Sequence, residues 1–228
     1  MSGKFGVFRL RVVCVIPAFN EESTIGAVVE GAKKYCSMVL VVDDGSDDET
    51  RNRAKEAGGK VISHVSRLGV GAALSTGFSS ALKRGAEIIV TLDGDGQHDP
   101  DEIPAVVAPL LEKKADIVVG SRLPARKAAM PLYKKIGNKV LSRFASLACG
   151  VVINDSQSGF RALSRGVAEA ISHSSTDYRW ATEMLILSSR KGFRIMEVPI
   201  RTVYFRKRIR GAGAKDALKI LYNTLKPK

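Results

Sequence analysis

The apolar positions of the chain fall into short continuous runs separated by stretches with helical spacing. Residues 11–16 are almost wholly apolar, as expected of a strand buried on both faces. Pro17 to Asn20 breaks that run, and Ser23 stands where it can cap a helix over about 24–35. Residues 39–42 predict a second strand, closed by Asp43, Asp44, Gly45 and Ser46. Ser46 with Glu49 three places on has the spacing of a capping box, opening a polar helix to about Ala57. Gly58 and Gly59 stop that helix, and residues 60–64 form a third, shorter strand. A helix over about 72–83 ends at Gly85, residues 88–92 are a fourth strand, about 102–113 a helix and 117–119 a fifth strand. Strand and helix alternate with short loops, the signature of βαβ units in a mostly parallel sheet.

Beyond Gly120 the pattern changes. Residues 131–148 carry Leu132, Ile136, Val140, Leu141, Phe144, Leu147 and Ala148 at helical spacing, with Lys134, Lys135, Lys139 and Arg143 between them. A core helix with a solvated face and a helix lying on a membrane interface both have this pattern. Residues 155–163 read as a loop entering a short strand, 180–190 as a helix with Glu183 in its first turn, and 195–200 as a strand that Pro199 assigns to an edge. A basic, glycine-hinged loop follows over 201–211. Ala214, Ala217, Leu218, Leu221, Tyr222 and Leu225 then mark a closing amphipathic helix. With no repeat and no low-complexity linker, residues 1–228 are expected to form one domain.

Composition sharpens this picture in one respect. Hydrophobic content of 45% and charged content of 26% are ordinary for a globular chain, which excludes global disorder. The net charge of +13 is not ordinary, and it is segregated: residues 1–120 carry −3 and residues 121–228 carry +16. A basic second half suits nucleic acid, anionic lipid or a phosphorylated substrate. Cys14, Cys36 and Cys149 are odd in number and far apart, so reduced, buried thiols are expected. No signal-peptide pattern opens the sequence, and no apolar run approaches the ~18–20 residues that span a bilayer. A soluble or peripheral protein, in the cytoplasm, is the expectation.

The candidate chemistry lies at the predicted strand ends. Asp93 and Asp95 follow the fourth strand, and Gly94 and Gly96 let the backbone turn so that both carboxylates converge. Hard divalent cations use such a pair together with water and substrate phosphates; an acidic loop without a ligand has the same sequence. Glu21 beyond the first strand and Asp43 and Asp44 on the second place more acids on the same sheet edge, where ligands of parallel sheets bind. The P-loop, dinucleotide, structural-zinc and nucleophile-elbow patterns are all absent. His98 reads as a loop histidine packed beside the acids rather than a base. An acidic metal site combined with many cations suits a nucleotide-diphosphate substrate, because metal and arginine neutralise a departing diphosphate.

Five ordered motifs carry a resemblance: residues 15–22 (Val-Ile-Pro-Ala-Phe-Asn-Glu-Glu), 41–46 (Val-Val-Asp-Asp-Gly-Ser), 93–98 (Asp-Gly-Asp-Gly-Gln-His), 120–122 (Gly-Ser-Arg) and 158–161 (Ser-Gly-Phe-Arg). Over about 11–215 the chain resembles the family 2 glycosyltransferases, and within them the polyprenyl-phosphate sugar transferases. The resemblance implies a GT-A fold of the α/β class, a mostly parallel central sheet flanked by helices. It also implies inverting transfer of one hexose from a GDP- or UDP-sugar to a polyprenyl or dolichyl phosphate. Residues 11–122 would be the nucleotide-binding half, and 123–228 the basic acceptor-binding half with its C-terminal amphipathic helix. Pro17, Phe19 and Glu21 would border the nucleotide, with Asp43 and Asp44 at its base and ribose. Asp93 would contact donor or metal, while Asp95 and Gln97 would ligate Mg²⁺ or Mn²⁺. Arg122 would face the transferring phosphate, Lys134 the acceptor phosphate, and Arg208, Arg210 and Lys215 would lie in a loop closing over the donor.

Relatives often show Gly-x-Ser-Lys in that loop, whereas this chain has Gly211-Ala212-Gly213-Ala214-Lys215. Many also continue into transmembrane helices. This sequence ends at Lys228, so the expectation is that it reaches the lipid through its basic amphipathic helices or a membrane-anchoring protein partner, on the cytoplasmic face. Nucleic acid is not an expected partner. Two other readings stand beside this one: transfer to a soluble or polysaccharide hydroxyl with Glu183 as base, and a non-catalytic basic binder of membrane or nucleic acid.

Overall fold

The apolar runs become seven strands in the computed structural model, which describes residues 10–122, 132–171 and 180–201, without the side chains of 132–135. They are β1 (Val12–Ala18), β2 (Met38–Asp43), β3 (Lys60–Ser63), β4 (Ile88–Thr91), β5 (Ile117–Arg122), β6 (Arg161–Ser164) and β7 (Ile195–Ile200). One sheet contains them all, in the order β3-β2-β1-β4-β6-β5-β7. Side chains alternate between two cores, as the two-residue period of a strand requires. Along β1, Cys14, Ile16 and Ala18 enter the first core while Val13 and Val15 enter the second.

The helices are α1 (Ile25–Lys33), α2 (Thr50–Glu56), α3 (Val70–Lys83), α4 (Ile103–Leu111), α5 (Leu132–Cys149), α6 (Arg165–Ile171) and α7 (Trp180–Arg190). Ile25 and Val29 of α1 with Ile103 and Val106 of α4 close the first core. Leu74 and Phe78 of α3, Val167 of α6 and Leu185 of α7 close the second. Each fully buried aliphatic contributes about 1.5–3 kcal/mol, so a strand apolar on both faces is locked into the middle layer by burial alone.

All pairings are parallel except those of β6, which runs antiparallel between β4 and β5. The chain leaves β5 and re-enters β6 at the same sheet edge, since Arg161 pairs with both Thr91 and Val119. Periodicity predicts a short strand here and carries no information on its direction. The helix α6 directly after β6 was not anticipated, and β7 takes the outer position that Pro199 implied.

The two capping expectations fail. The N-cap of α1 is Thr24, not Ser23, and α2 begins only at Thr50. Ser46 instead accepts a hydrogen bond from the Asn20 N–H (3.0 Å), and Asp48 accepts from the Thr50 N–H (2.9 Å). The Ser46–Glu49 spacing is used to tie two loops together, which satisfies backbone donors as well as a cap would. Cys14 is buried, with burial raising its thiol well above the usual range, and Cys36 and Cys149 are half-buried; all three are free.

Candidate active site

The site grows from a divergence between neighbouring strands. β1 and β4 pair as far as Val15 and Thr91, and the last link is the Leu92 N–H donating to the Val15 carbonyl at 3.2 Å. Beyond it β1 continues beside β2 alone. Pro17, two residues after Val15, turns its missing N–H toward the side that β4 has left, so a proline is tolerated in a central strand. From β1 the chain proceeds to β2 and β3 on one side, then crosses to β4 on the other. A crevice at such a reversal is where open α/β sheets bind ligands.

On the β2 side of the crevice the first two strand-end loops brace one another. The Glu21 N–H donates to Thr50 Oγ1 (2.7 Å), the Glu22 N–H to Asp48 (3.2 Å), and Asn20 Oδ1 accepts from the Asp47 N–H (3.2 Å). Glu21 is buried, with Pro17 and Phe19 half-buried beside it. Asp43 and Asp44 are also buried, and both carboxylates have protein partners. Asp43 accepts from the Ser46 N–H (3.1 Å) and from Arg51 Nε and Nη2 (both 3.1 Å). Asp44 accepts from the Leu68 and Gly69 N–H groups (2.9 and 2.8 Å) and contacts His64 Nδ1 at 2.7 Å. Asp44 thereby fixes the loop entering α3.

Across the crevice the stretch after β4 turns at Gly96, in the left-handed region with φ of 71°. Gly94 lies against Ala18 and Pro17, where a Cβ would sit 3.3 Å from each, and its carbonyl accepts from Thr24 Oγ1 at 2.8 Å. The Gln97 N–H donates to Asp95 Oδ1 (3.0 Å), which holds the turn. Burial raises the Asp93 carboxyl above its usual range, against the pull of Arg122 and Arg161. Asp95 is raised by burial and then by the Asp93 charge. His98 is buried against Phe160, ring centroids 5.6 Å apart, and burial pushes its imidazole down to about 4. Its Nδ1 has no hydrogen-bond partner and lies 3.6 Å from Asp93 Oδ2. A neutral packed imidazole fits the reading of His98 as a wall rather than a base.

Two arginines answer these acids. Arg122, at the end of β5, is held as a fork by Asp155, with Nε at 2.6 Å and Nη2 at 2.7 Å from the two oxygens. Asp155 in turn accepts from Asn138 Nδ2 of α5 (2.9 Å), and its N–H donates to Glu197 of β7 (2.9 Å). Arg161 is fully buried, donating to the carbonyls of Ser158, Ala181 and Ser156 at 3.0, 2.7 and 2.7 Å. Its guanidinium also lies 5.0 Å from the Trp180 ring, and burial brings it down to about 10, still charged at neutral pH.

In the sequence Gly159 and Arg161 belong to a motif without an assigned role, Asp155 only opens a loop, and Asn138 carries no expectation. Asn138, Ser142 and Ser146, spaced by four on one face of α5, are the signal that was legible: Ser142 and Ser146 accept from the Ser156 and Ile153 N–H groups (3.0 and 2.9 Å). Of the expected site residues, the crevice brings together Pro17, Phe19, Glu21, Asp43, Asp44, Asp93, Asp95, Gln97 and Arg122 along one sheet edge. Lys134 is in the first turn of α5 and its side chain lies outside the described residues, as do Arg208, Arg210, Lys215 and the closing amphipathic helix.

The donor set fits a hard divalent cation. Among the described residues no three His, Cys, Asp or Glu side chains converge into a closed cage. Asp93 and Asp95, with Gln97 tied to Asp95 through its N–H, are oxygen donors of the kind such a cation takes together with phosphate and water. The Asp93 charge adds to the cost of ionising Asp95, which a bound cation would relieve.

Gly159 is shaped to Asp93. A Cβ at 159 would lie 2.4 Å from both Asp93 carboxylate oxygens, a clash that a side-chain rotation rather than a backbone shift would relieve. Gly159→Ala is accordingly expected to leave the melting temperature of the metal-free protein within a few degrees while raising the Mn²⁺ concentration needed for half-maximal thermal stabilisation at least ~10-fold. An unchanged metal titration would refute this coupling.

Comparisons with known proteins show the family and the fold. The sequence profile of the family described as "Glycosyl transferase family 2" matches residues 13–178. The chain is 37% identical over 237 residues to the UDP-N-acetylglucosamine--dolichyl-phosphate N-acetylglucosaminyltransferase of Methanococcus voltae, covering 94% of each chain. It is 32% identical over 203 residues to the polyprenol monophosphomannose synthase of Mycolicibacterium smegmatis, covering 83% of this chain and 76% of that one. Glucosyl-3-phosphoglycerate synthase from Mycobacterium tuberculosis, solved with Mn²⁺, UDP and glucosyl-3-phosphoglycerate, superposes with a TM-score of 0.73 at 22% identity, covering 95% of this chain and 79% of that one. The fold is GT-A.

Proposed function

The chain belongs to glycosyl transferase family 2, and from that premise we propose that it moves one hexose-type sugar from a nucleotide-diphosphate donor to a polyprenyl phosphate. The observation that carries the acceptor is the similarity along 94% of both chains to an enzyme named for dolichyl phosphate. The donor is supported by the crevice itself, with two carboxylates on one wall and two fixed guanidiniums beside them.

In this reading Asp93, Asp95 and Gln97 would hold Mg²⁺ or Mn²⁺, which would supply charge neutralisation for a departing diphosphate. Arg122, kept in one orientation by Asp155, adds a positive charge at the same end, and Arg161 adds a second from beneath. An acceptor phosphate oxygen attacks the anomeric carbon while the bond to the nucleoside diphosphate breaks, inverting the centre. That oxygen is already anionic at neutral pH, so the protein must orient it and balance charge rather than remove a proton. Lys134 and the basic residues 123–228 are assigned to the acceptor phosphate, and Arg208, Arg210 and Lys215 to closure over the donor. Among the described residues no helix is long and apolar enough to cross a membrane. Association with the cytoplasmic membrane surface, directly or through an anchoring partner, belongs to the same proposal.

The test incubates the protein with Mg²⁺, a polyprenyl phosphate and labelled UDP- or GDP-sugars, and measures label extracted into the organic phase. Labelled lipid is the expected product, and its absence with every donor would end this reading. Glu183 decides the acceptor class independently. It sits half-buried in the first turn of α7, beside Thr182, whose Oγ1 accepts from Gln157 of the site loop at 2.8 Å. With a phosphate acceptor, Glu183→Gln should retain transfer within about threefold. A loss of about 100-fold or more would make Glu183 a general base and the acceptor a hydroxyl.

A further inference from the structure

A second concavity lies outside the crevice, between α3 and the edge strand β3. Its volume is about 490 Å³, within the range that takes a small ligand. Ile62 of β3 is the one apolar side chain lining it, and no carboxylate does. The rest of the lining is one face of α3. Ser75, Thr76, Ser79 and Ser80 stand there at i, i+1, i+4 and i+5, with Lys83 and Arg84 one turn further on. The groove therefore runs from a hydroxyl end to a cationic end, roughly 13 Å along the helix.

Helix formation explains neither end. Serine and threonine are poorer helix formers than alanine, yet Ser80 is buried and Ser75, Thr76 and Ser79 are half-buried. Basic residues often close a helix by meeting its last carbonyls, but the Arg11 guanidinium already donates to the Arg84 carbonyl. Arg84 folds back along the groove. Its Nη1 donates to Ser80 Oγ at 2.6 Å and to the Ser80 carbonyl at 3.3 Å, which holds the guanidinium in place. Among the described residues Lys83 and Arg84 make no ion pair, although residues 1–120 carry a net charge of −3. Lys60, two residues before Ile62 on β3, shares its face and adds positive charge. At the other end Thr76 Oγ1 lies 3.0 Å from His64 Nε2, and His64 Nδ1 lies 2.7 Å from Asp44. Thr76, His64 and Asp44 thus form a partition between this groove and the crevice.

Two cations unpaired by any carboxylate suit a phosphate. A row of hydroxyls, each able to donate and to accept, suits a hydroxylated body beside it. We propose that the groove is a second ligand site, binding a phosphate monoester of a polyhydroxylated small molecule, the sugar-phosphate class. The phosphate lies at Lys83 and Arg84 and the hydroxyls lie along Ser75, Thr76 and Ser79.

Titration of ¹⁵N-labelled, metal-free protein with glucose 6-phosphate tests this without turnover. Amide shifts should move over residues 75–84 and around Ile62, with a Kd of about 0.1–1 mM. Lys83→Ala, at an exposed position, should weaken binding about tenfold. Ser79→Leu, which fills the groove without changing charge, should weaken it at least as much while the melting temperature stays within a few degrees. Glucose and inorganic phosphate should each bind about tenfold or more weakly than the ester. UDP or GDP with Mn²⁺ should not displace it, because the partition keeps the two sites apart. Shifts centred on residues 93–97, displacement by the nucleotides, or unchanged affinity in both variants would each overturn the proposal. Wild type that does not bind the ester would overturn it too, as would inorganic phosphate binding as tightly as the ester. None of these results bears on transfer to lipid, which the organic-phase assay decides by itself.

Discussion

Asp95→Asn is expected to lower transfer by about 10³-fold while raising the melting temperature of the metal-free protein at neutral pH. Both effects come from one cause. Burial and the neighbouring Asp93 charge raise the Asp95 carboxyl above its usual range. A carboxyl raised in the folded state stabilises the fold at low pH, and that contribution is lost as pH rises through the folded value. At neutral pH the wild type therefore carries an ionised carboxylate that the fold disfavours, and asparagine removes it. The gain should shrink as pH falls through the folded value and be gone below about pH 3, where the carboxyl is protonated in both states. Mn²⁺ should raise the wild-type melting temperature more at pH 7.5 than at pH 5, because the ligands must be deprotonated, and should do little for Asp95→Asn. Equal stabilisation of both proteins by Mn²⁺ would remove Asp95 from the metal site.

Arg161→Met should cost about 3–5 kcal/mol of stability. The guanidinium is fully buried, and methionine would replace its volume but not its donors. The carbonyls of Ser156, Ser158 and Ala181 would lose their partner. Asp93, Asp155 and Glu197 would lose a positive charge that now attracts them. Thermal unfolding falls by about 2–4 °C per kcal/mol in a chain of this size, so a drop on the order of 10 °C is expected. Arg161→Lys should fall between the two, keeping the charge while losing the fork that reaches three carbonyls. A melting temperature for Arg161→Met close to wild type would show that the buried charge costs as much as it contributes.

These two residues mark different degrees of legibility. Asp95 could be read from the sequence because an apolar run ending in Asp-Gly-Asp-Gly declares both a strand and what stands at its end. The same logic located Glu21, Asp43 and Asp44, since parallel strands share one carboxyl edge. Their placement was legible, but the work of Asp43 and Asp44 was not. Asp44 binds a loop more than 20 residues away in sequence, and nothing local to Asp44 indicates that loop. Ser46 and Glu49 had the spacing of a cap, and the structure gave Ser46 to Asn20 because the two loops meet.

The sequence by itself determined all seven strands, every described helix but α6, the sheet class and the acidic edge, because these follow from local periodicity, from glycine and proline, and from which runs must be buried. Only the tertiary structure decided that β6 enters antiparallel between β4 and β5. That insertion sets Gly159 against Asp93, buries Arg161 beneath it, and brings Asp155 to Arg122. Periodicity says that a segment is a strand and which residues share a face, but it is silent on direction and neighbours. Those are chosen by hydrogen bonds and burial between segments 30 to 70 residues apart, and in this protein they supply the positive half of the site.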